Sequence, residues 1–265
     1  MKVGVVGYGV VGAAVGESLK ELGHEVSPHD ITMNTQLSDV LGSALCFLCV
    51  PTPKNEKGEC DTTIVEEVIA NLDHEDYPGI ICIKSTVEPG TTRRLAEKYP
   101  QRSICFVPEF LRERCAKEDF QDNHDLCVIG CESELEFQLI KKAHGRYPKS
   151  FIKVPPTEAE LCKYFNNIYN ATLVVFANSF YEVCKNLDAD YSAVKNAMVT
   201  RDHIGDFYLN CKEDLRGFGG MCLPKDTSAM AKLCENKGIN VDFFKHLLSE
   251  NDKYEVTVFD GMRKE

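Results

Sequence analysis

The chain has 265 residues, 43% of them hydrophobic, and its 30 basic and 41 acidic residues give a formal charge of −11. Nucleic acids and anionic membranes are bound through basic patches, so this charge balance argues against both as partners. No apolar run approaches the roughly 20 residues of a membrane helix. The opening MKVGVVG is already strand-like, so we expect no basic, apolar and cleavable export leader. We therefore expect a soluble, cytoplasmic protein.

Thirteen cysteines are a high and odd number. Without a leader, reduced thiols are expected rather than a disulfide framework. The only close pair is Cys46 and Cys49, and it lacks the second pair and the turn of a zinc knuckle. We predict no metal site, and we expect most of these cysteines to be small buried hydrophobic residues.

Short apolar runs alternate with helical patterns through the first part of the chain. Residues 2–6 indicate a strand, followed by a glycine-rich turn, a helix to about Leu22 and a second strand at 25–29. Such alternation is typical of a parallel sheet covered by helices on both faces. The sequence predicts an α/β fold, with a doubly wound domain over residues 1–154. Its further strands are predicted at 44–50, 80–84, 104–107 and 126–129, and its further helices at 62–72 and 91–98.

The pattern changes after Val154, where two prolines precede a long helical stretch. Thr157 and Glu160 have the spacing of a capping box that would open a helix reaching about Asn186. Between residues 171 and 177 this helix is apolar almost all round, which indicates burial on every side. We predict a homodimer built through the helix at 158–186. Residues 155–250 are expected to form a smaller all-helical domain, and 251–265 a short C-terminal tail.

The segment GYGVVG at 7–12 has the G-x-G-x-x-G spacing of a dinucleotide site. Gly7 permits the tight turn, Gly9 lets a pyrophosphate approach the backbone, and Gly12 lets the helix pack on the sheet. The helix N-terminus favours the phosphates. Asp30, at the end of the second strand, would bind the adenosine ribose and repel a 2′-phosphate. The pattern predicts a Rossmann-type NAD site; a turn that merely joins strand to helix is the alternative, and FAD is possible in principle.

Cys222 follows two glycines and precedes Leu-Pro-Lys-Asp, which indicates the first turn of a helix. A thiol beside Lys225 and a helix N-terminus should have a lowered pKa and act as a nucleophile. The alternative is one more buried cysteine. Asp226 lies one helical turn further on, so both groups can face one cavity; it could also be an ordinary first-turn carboxylate.

Lys163 and Asn167 are four residues apart in the long helix and share one face. Together they offer a positive charge and a hydrogen-bond donor to an oxyanion, although a snorkelling lysine and a packing asparagine fit the spacing equally well. Glu109 and Glu113 follow a strand and a proline, where an α/β sheet presents its ligand-facing loops. Such glutamates are also common as solvated surface groups.

Five segments together resemble the UDP-glucose/GDP-mannose dehydrogenase family. They are GYGVVG (7–12), VPTP (50–53), KSTVEPGTT (84–92), PEFLRE (108–113) and GFGGMCLPKD (217–226). The resemblance covers nearly the whole chain in the family's order. It implies oxidation of a sugar primary alcohol to a carboxylate in two hydride transfers to NAD, with a thiohemiacetal and a thioester formed on Cys222.

The resemblance also implies roles for individual residues. Cys222, Lys163, Asn167 and Asp226 match catalytic positions. Lys163 and Asn167 would bind substrate and stabilise oxyanions, Asp226 and Thr86 would hold a water or shuttle a proton, and Glu109 would contact substrate and activate the hydrolytic water. The positions implied to contact NAD are Val11, Thr52, Thr86, Glu113 and Lys225, and Gly219 would line the sugar site.

Three features depart from the family pattern. The family has a third, C-terminal domain that holds much of the nucleotide, whereas this sequence ends at Glu265, so we expect that domain to be lacking. His203 stands where an arginine usually reaches into the neighbouring subunit's site; Arg201 and Arg216 are possible substitutes. Arg114 stands where glycine is common.

Two other functions compete with a nucleotide-sugar dehydrogenase. A β-hydroxyacid dehydrogenase acting on a small substrate has a similar length and a helical lysine and asparagine, but it has no use for a nucleophile at Cys222. A dimeric, non-catalytic NAD-binding or regulatory protein has no chemical need for the full set of catalytic groups.

Overall fold

The computed structural model describes residues 1–257; the last part of the predicted tail, 258–265, lies outside the described residues. The chain divides into two compact units. The first comprises Met1–Asn55 and Cys60–Lys163, and the second comprises Glu56–Glu59 and the residues from Tyr164 onward. The predicted domain boundary at 154/155 stays a prediction.

The first unit is built on a sheet of seven strands in the order β2-β1-β3-β4-β5-β6-β7. Strands β1 to β5 are parallel to one another. The α/β fold is therefore confirmed, including the five strands predicted between residues 2 and 107. The strands are β1 (Lys2–Val6), β2 (Glu25–His29), β3 (Leu45–Leu48), β4 (Ile80–Ile83), β5 (Ser103–Phe106), β6 (Leu126–Gly130) and β7 (Ser150–Val154).

The far edge of the sheet differs from the sequence prediction. Strand β6 pairs antiparallel with β5, and β7 pairs parallel with β6, so the sheet is mixed. The sequence pattern at residues 150–154 did not predict β7, because this edge strand is partly exposed along its length and lacks the continuous apolar run of a buried parallel strand.

Alternating side chains of the central strands fill two cores. In β3, Leu45 and Phe47 pack into one core while Cys46 and Leu48 pack into the other. This is the period-two geometry of a strand buried on both faces. Helices of the first unit cover the sheet: α1 (Val10–Glu21), α2 (Thr63–His74), α3 (Thr91–Lys98), α4 (Ala116–Gln121) and α5 (Glu134–His144).

The long helix α6 spans Pro156–Asn186, and the boundary between the two units falls within it. Its predicted capping box is wrong. The helix already includes Pro156, a residue favoured at the first helical position because it lacks an N–H. Thr157 is therefore inside the first turn, and Glu160 hydrogen-bonds to another helix instead.

The regular elements of the second unit within the described residues are helices. After α6 they are α7 (Tyr191–Met198), α8 (Leu223–Asn236) and α9 (Phe243–Asn251). A small core packs against α6, and the hydroxyl of Tyr191 donates to the carbonyl of Leu209 at 2.8 Å. The members of this core are Ala177, Cys184, Tyr191, Leu209 and Cys211.

All thirteen cysteines lie in the described residues, and none is in a disulfide. Nine are buried, and Cys222 is the only one that is exposed. The expectation that most serve as buried hydrophobic residues is therefore confirmed. Among residues 1–257, no helix combines the length and the apolar character needed to cross a membrane.

Candidate functional site

The turn between β1 and α1 has the backbone that the glycine motif predicts. Gly7 adopts a φ of +84°, and a Cβ there would lie 2.6 Å from the carbonyl oxygen of Cys49. A Cβ on Gly12 would lie 1.8 Å from the carbonyl oxygen of Gly7, so the helix can approach the turn only without a side chain. A Cβ on Gly9 would meet nothing within 4 Å. Gly9 is the N-cap of α1, so the open space lies at the positive end of that helix.

Asp30 follows β2 and lies beside this turn. Its carboxylate accepts a hydrogen bond from the backbone N–H of Tyr8 at 2.7 Å, and from the N–H and hydroxyl of Thr32 at 2.9 and 2.7 Å. These hydrogen bonds, led by those from Thr32, lower the pKa of Asp30. An ionised acceptor at this position can accept hydrogen bonds from the hydroxyl groups of the adenosine ribose, and it repels a 2′-phosphate on that ribose.

The other predicted positions of the first unit follow neighbouring parallel strands. Thr52 is in the segment after β3, Thr86 in the segment after β4, and Glu109 and Glu113 in the segment after β5. Because these strands are parallel, their carboxyl ends meet at one edge of the sheet, together with the glycine turn after β1. The sheet therefore brings together positions that are widely separated in the sequence.

Hydrogen bonds from side chains to backbone carbonyls hold the loop between β4 and α3 at this edge. The hydroxyl of Ser85 donates to the carbonyls of Leu48 and Val50 at 3.2 and 2.7 Å. The thiol of Cys60 donates to the carbonyl of Thr86 at 3.2 Å. The backbone carbonyl of Thr86 is thus held by a hydrogen bond, while Thr86 as a residue is partly exposed.

Glu109 and Lys163 form a buried ion pair. The Lys163 ammonium lies 2.8 Å from the Glu109 carboxylate and 2.7 Å from the Glu109 carbonyl oxygen, and its side chain is 4% exposed. The other carboxylate oxygen of Glu109 accepts from the N–H of Leu111 at 2.6 Å. The structure therefore excludes both the snorkelling lysine and the solvated glutamate as descriptions of this pair.

Glu160 is a residue whose environment the sequence did not predict. Its carboxylate is fully buried and accepts hydrogen bonds from the N–H groups of Gly90 and Thr92 and from the Thr92 hydroxyl, at 2.5, 2.7 and 2.6 Å. Gly90 is the N-cap of α3, so Glu160 caps a helix that is distant in the sequence. Burial raises its pKa against the effect of these hydrogen bonds.

Cys222 is the N-cap of α8 in the second unit. The backbone N–H of Asp226 donates to the carbonyl of Cys222 at 2.9 Å, which closes the first turn of the helix. Pro224 lies within that turn, where its missing N–H costs no helical hydrogen bond. The exposed thiol is therefore at a positive helix terminus, as its sequence context predicts.

Three side chains meet one turn beyond Cys222. The amide of Asn167 donates to one carboxylate oxygen of Asp226 at 2.6 Å, and the ammonium of Lys225 lies 2.7 Å from the other. Asp226 is 1% exposed and Asn167 is 5% exposed. Asp226 is therefore a buried acceptor held by donors from two helices, rather than a solvated first-turn carboxylate.

Other predicted positions give less information. Val11 is partly buried in the core, and His203 is exposed. A Cβ on Gly219 would lie 2.2 Å from Val256. Arg216 donates to Asn178 at 2.7 Å and lies between two tyrosine rings of its own unit, which argues against its replacing a distant arginine. The roles implied for all these site residues stay predictions.

The described residues contain no group of three or more His, Cys, Asp or Glu side chains that could hold a metal ion. The chemistry available in the two units is thus an ionised acceptor beside a glycine turn, a buried lysine–glutamate pair, and an exposed thiol near a buried aspartate. These are the groups needed for dinucleotide binding, proton transfer and covalent catalysis.

Comparison with known proteins gives two matches to one family. Residues 29–147 match the NAD binding domain of the UDP-glucose/GDP-mannose dehydrogenase family, and residues 157–253 match its central domain. The first match begins after the glycine turn, so the geometry of that turn is an independent observation. NAD is the cofactor of this family.

Individual relatives agree with the family match. The chain is 27% identical to the UDP-glucose 6-dehydrogenase TuaD of Bacillus subtilis, over 98% of this chain and 65% of that protein. A UDP-glucose dehydrogenase structure from Pyrobaculum islandicum superposes with a TM-score of 0.86 at 26% identity, covering 95% of this chain and 68% of the other.

A different enzyme class has a similar fold. The 3-hydroxyisobutyrate dehydrogenase structure from Mycobacterium tuberculosis has a TM-score of 0.75 and 13% identity, covering 95% of this chain and 92% of that one. At that identity the likeness concerns the fold alone. From the two domain matches and the relatives together, the chain belongs to the UDP-glucose/GDP-mannose dehydrogenase family.

Proposed function

We propose that this chain oxidises the primary alcohol of a nucleotide sugar, UDP-glucose or GDP-mannose, to the uronic acid with NAD. The observation that carries the proposal is the exposed thiol of Cys222 at the start of α8, one turn from the buried Asp226. A simple alcohol dehydrogenase needs no such nucleophile. Because the chain spans 65% of the length of TuaD, the activity of that whole protein is a proposal here.

The residues present fit an NAD cofactor. The open space above Gly9 would receive the pyrophosphate at the N-terminus of α1, and Asp30 would accept from a ribose hydroxyl. Bound NAD supplies the hydride acceptor for both oxidations. The chain's own residues bind the substrate, move its protons and carry the covalent intermediates.

The first oxidation converts the alcohol to an aldehyde by loss of a hydride and of the hydroxyl proton. Cys222 then attacks the aldehyde carbon as a thiolate and forms a C–S bond. The carbonyl oxygen becomes the oxyanion of a thiohemiacetal, which takes up a proton. Lys163 and Asn167, one turn apart on α6, are proposed to stabilise this oxyanion, and Asp226 or Thr86 to exchange its proton.

The second oxidation removes a hydride from the thiohemiacetal carbon and a proton from its oxygen, leaving a thioester on Cys222. Water then adds to the thioester carbonyl, the C–S bond breaks, and the carboxylate is released with regeneration of the thiol. Glu109 is the proposed base for this water, because its carboxylate is a proton acceptor held 2.8 Å from the Lys163 ammonium.

The stoichiometry of the reaction tests the proposal directly. We would follow NADH absorbance with purified protein, NAD and UDP-glucose, run GDP-mannose in parallel, and quantify the acid formed. We expect two NADH for each uronic acid with one of the two sugars. One NADH with no acid would contradict the covalent mechanism and indicate a simple dehydrogenase. Turnover of a small hydroxyacid instead would favour the class of the structurally similar 3-hydroxyisobutyrate dehydrogenase.

A non-catalytic role is the second candidate. Protein that binds NAD in a fluorescence titration but reduces it with neither sugar nor a small hydroxyacid would support an NAD-binding or regulatory protein. This candidate is supported by the glycine turn and Asp30, which are sufficient for NAD binding without the chemistry of Cys222.

We further propose that the second-unit part of α6 pairs with a second copy of the chain. An apolar stripe on this helix is exposed, including Phe165 at 76% and Val183 at 54%. The Phe176 and Phe180 rings lie 4.7 Å apart on the same stripe. Exposed apolar surface of this extent on a single helix is typical of an interface.

Light scattering tests this pairing. We expect twice the monomer mass at micromolar concentration, and the monomer mass for Phe180→Glu, because a buried unpaired carboxylate is costly. Glu182→Gln, which changes the charge of a neighbouring residue, is the matched control. A wild-type protein that scatters as a monomer would contradict the proposal.

A further inference from the structure

Three cysteines form a row across one face of the sheet in the first unit. Cys82 in β4 and Cys105 in β5 are register partners in parallel strands. Strands β5 and β6 pair antiparallel at Phe106 and Gly130, so the next position along each strand places Cys131 opposite Cys105. All three thiols pack into the same core.

The Cys105 and Cys131 thiols interact with each other. This interaction raises the pKa of Cys105 and lowers the pKa of Cys131, and the Cys131 thiol itself donates to the carbonyl of Ser133 at 3.5 Å. Residues directly opposite in an antiparallel pair have Cα atoms about 4.5–5.5 Å apart. That separation lies within the roughly 4.4–6.8 Å spanned by disulfides.

The two sulfurs lie at a weakly joined part of the sheet. Strands β5 and β6 share one register pair, whereas β6 and β7 share five. Cys131 is buried, but the residues that follow it, 132–135, are exposed. A junction with few hydrogen bonds next to an exposed loop can open locally without unfolding the domain, and such opening would admit a small reagent to Cys131.

We propose that Cys105 and Cys131 are a disulfide-forming pair that is oxidised by a small-molecule disulfide of the glutathione type. In the first step the Cys131 thiolate attacks one sulfur of the oxidised reagent, forms a mixed disulfide and releases one reagent thiolate. In the second step Cys105 loses its proton, attacks the Cys131 sulfur and displaces the second reagent thiolate. The protein loses two hydrogens, and the reagent gains them as two thiols.

The proposal does not depend on the enzymatic activity. A metal ion is not an alternative occupant, since the described residues hold no metal-binding cluster. The product would covalently join β5 to β6 beside the segment that carries Glu109. Reduction would restore the single-pair junction, so the pair would respond to the thiol–disulfide balance around the protein.

Peptide mapping tests the pair. Native protein would be treated with oxidised glutathione, its remaining thiols alkylated, and its non-reduced digest examined by mass spectrometry. We expect a cross-linked peptide pair containing Cys105 and Cys131, lost on reduction. The oxidised protein should also unfold at a higher urea concentration than the reduced protein, because the cross-link restricts the unfolded chain.

Single substitutions test the order of the two steps. Cys105→Ala should leave Cys131 as a stable mixed disulfide with glutathione, and Cys131→Ala should leave Cys105 unmodified. Cys82→Ala removes an equally buried thiol of the same row and should still give the cross-link. A cross-link between Cys82 and Cys105, or modification confined to the exposed thiol of Cys222 in folded protein, would overturn the proposal.

Discussion

At the carboxyl edge of the sheet, the proposed cofactor positions are mainly features of the backbone: a positive φ at Gly7, open space at Gly9 and close packing at Gly12. At the start of α8, the proposed catalytic positions are side chains. Asp226 is held there by an amide from α6 and an ammonium from its own helix. The first region is specified by consecutive residues, and the second by residues distant in the sequence.

The difference predicts different consequences of mutation. At the glycine turn, the fold should tolerate an added side chain at Gly9, where the space is open. It should be destabilised by an added side chain at Gly12, where a Cβ would overlap a backbone oxygen. A side-chain site should lose chemistry when one group is replaced, while the fold persists. Each of the following experiments measures one side of this comparison.

The largest effect is expected at Cys222. Cys222→Ser should reduce acid formation by at least about 10⁴-fold, because the hydroxyl is a poor replacement for the thiolate nucleophile. NAD binding, measured by fluorescence titration, should be unchanged. Cys234→Ala on the same helix is the control and should retain activity. Acid formation by Cys222→Ser at the wild-type rate would show that the side-chain site is not catalytic.

Substitutions at two glycines of the cofactor turn should affect different properties: one the free energy of unfolding, and the other the affinity for NAD. Gly12→Ala should lower the free energy of unfolding by about 3 kcal/mol or more, because its Cβ would lie 1.8 Å from a backbone oxygen. Gly9→Ala should lower it by no more than about 1 kcal/mol. It should still weaken NAD binding by about tenfold or more, because the methyl group enters the phosphate space.

Urea denaturation and NAD titration of both variants measure these effects. Equal loss of stability in Gly9→Ala and Gly12→Ala would contradict the backbone description of the turn. Normal NAD affinity in Gly9→Ala would place the phosphates elsewhere.

Acidification should destabilise the first unit before the second. Burial lowers the pKa of His124 from its ordinary 6.5 to about 4, and burial also lowers that of His144. The unfolded chain then binds more protons than the folded one between pH 6.5 and 4, so stability falls as the pH falls through this range. For His124 the loss should be about 3 kcal/mol.

Unfolding free energies measured from pH 7 to pH 4 would test this expectation. His124→Gln should flatten the pH dependence, whereas His246→Gln, at an exposed position on α9, should leave it unchanged. Hydrogen exchange at pH 4.5 should show β6 and α5 losing protection before α8. If the unfolding free energies of wild type and His124→Gln changed in parallel with pH, His124 would not be the source of the acid destabilisation.

The smallest effect is expected at Glu160, whose side chain caps the N-terminus of α3. Glu160→Gln replaces one acceptor oxygen by an NH₂ group that faces existing donors, and should lower the free energy of unfolding by about 1–3 kcal/mol. Glu158→Gln, an exposed change on the same helix, should stay within about 0.5 kcal/mol. Equal stability of the two variants would show that α3 is held without this cap.

Much of this protein could be predicted from sequence because its signals are local. The five parallel strands, the glycine turn and the helix after Cys222 depend on consecutive residues whose apolar pattern or backbone freedom allows few alternatives. The position of β6 was predicted at 126–129, but its antiparallel direction was missed because strand direction depends on how distant segments pair. The partly exposed β7 was missed because it lacks a continuous apolar run. A capping box at Thr157 was wrong because Pro156 already begins the helix.

Tertiary structure alone decided the environments of the buried charges. The sequence placed Lys163 and Glu160 on one helix, but only the fold brought the first to Glu109 and the second to the N-terminus of α3. Asn167 and Asp226 are likewise 59 residues apart along the chain. A hydrogen bond depends on distance in space, and the spacing of residues in a sequence limits that distance only within one turn or one helix.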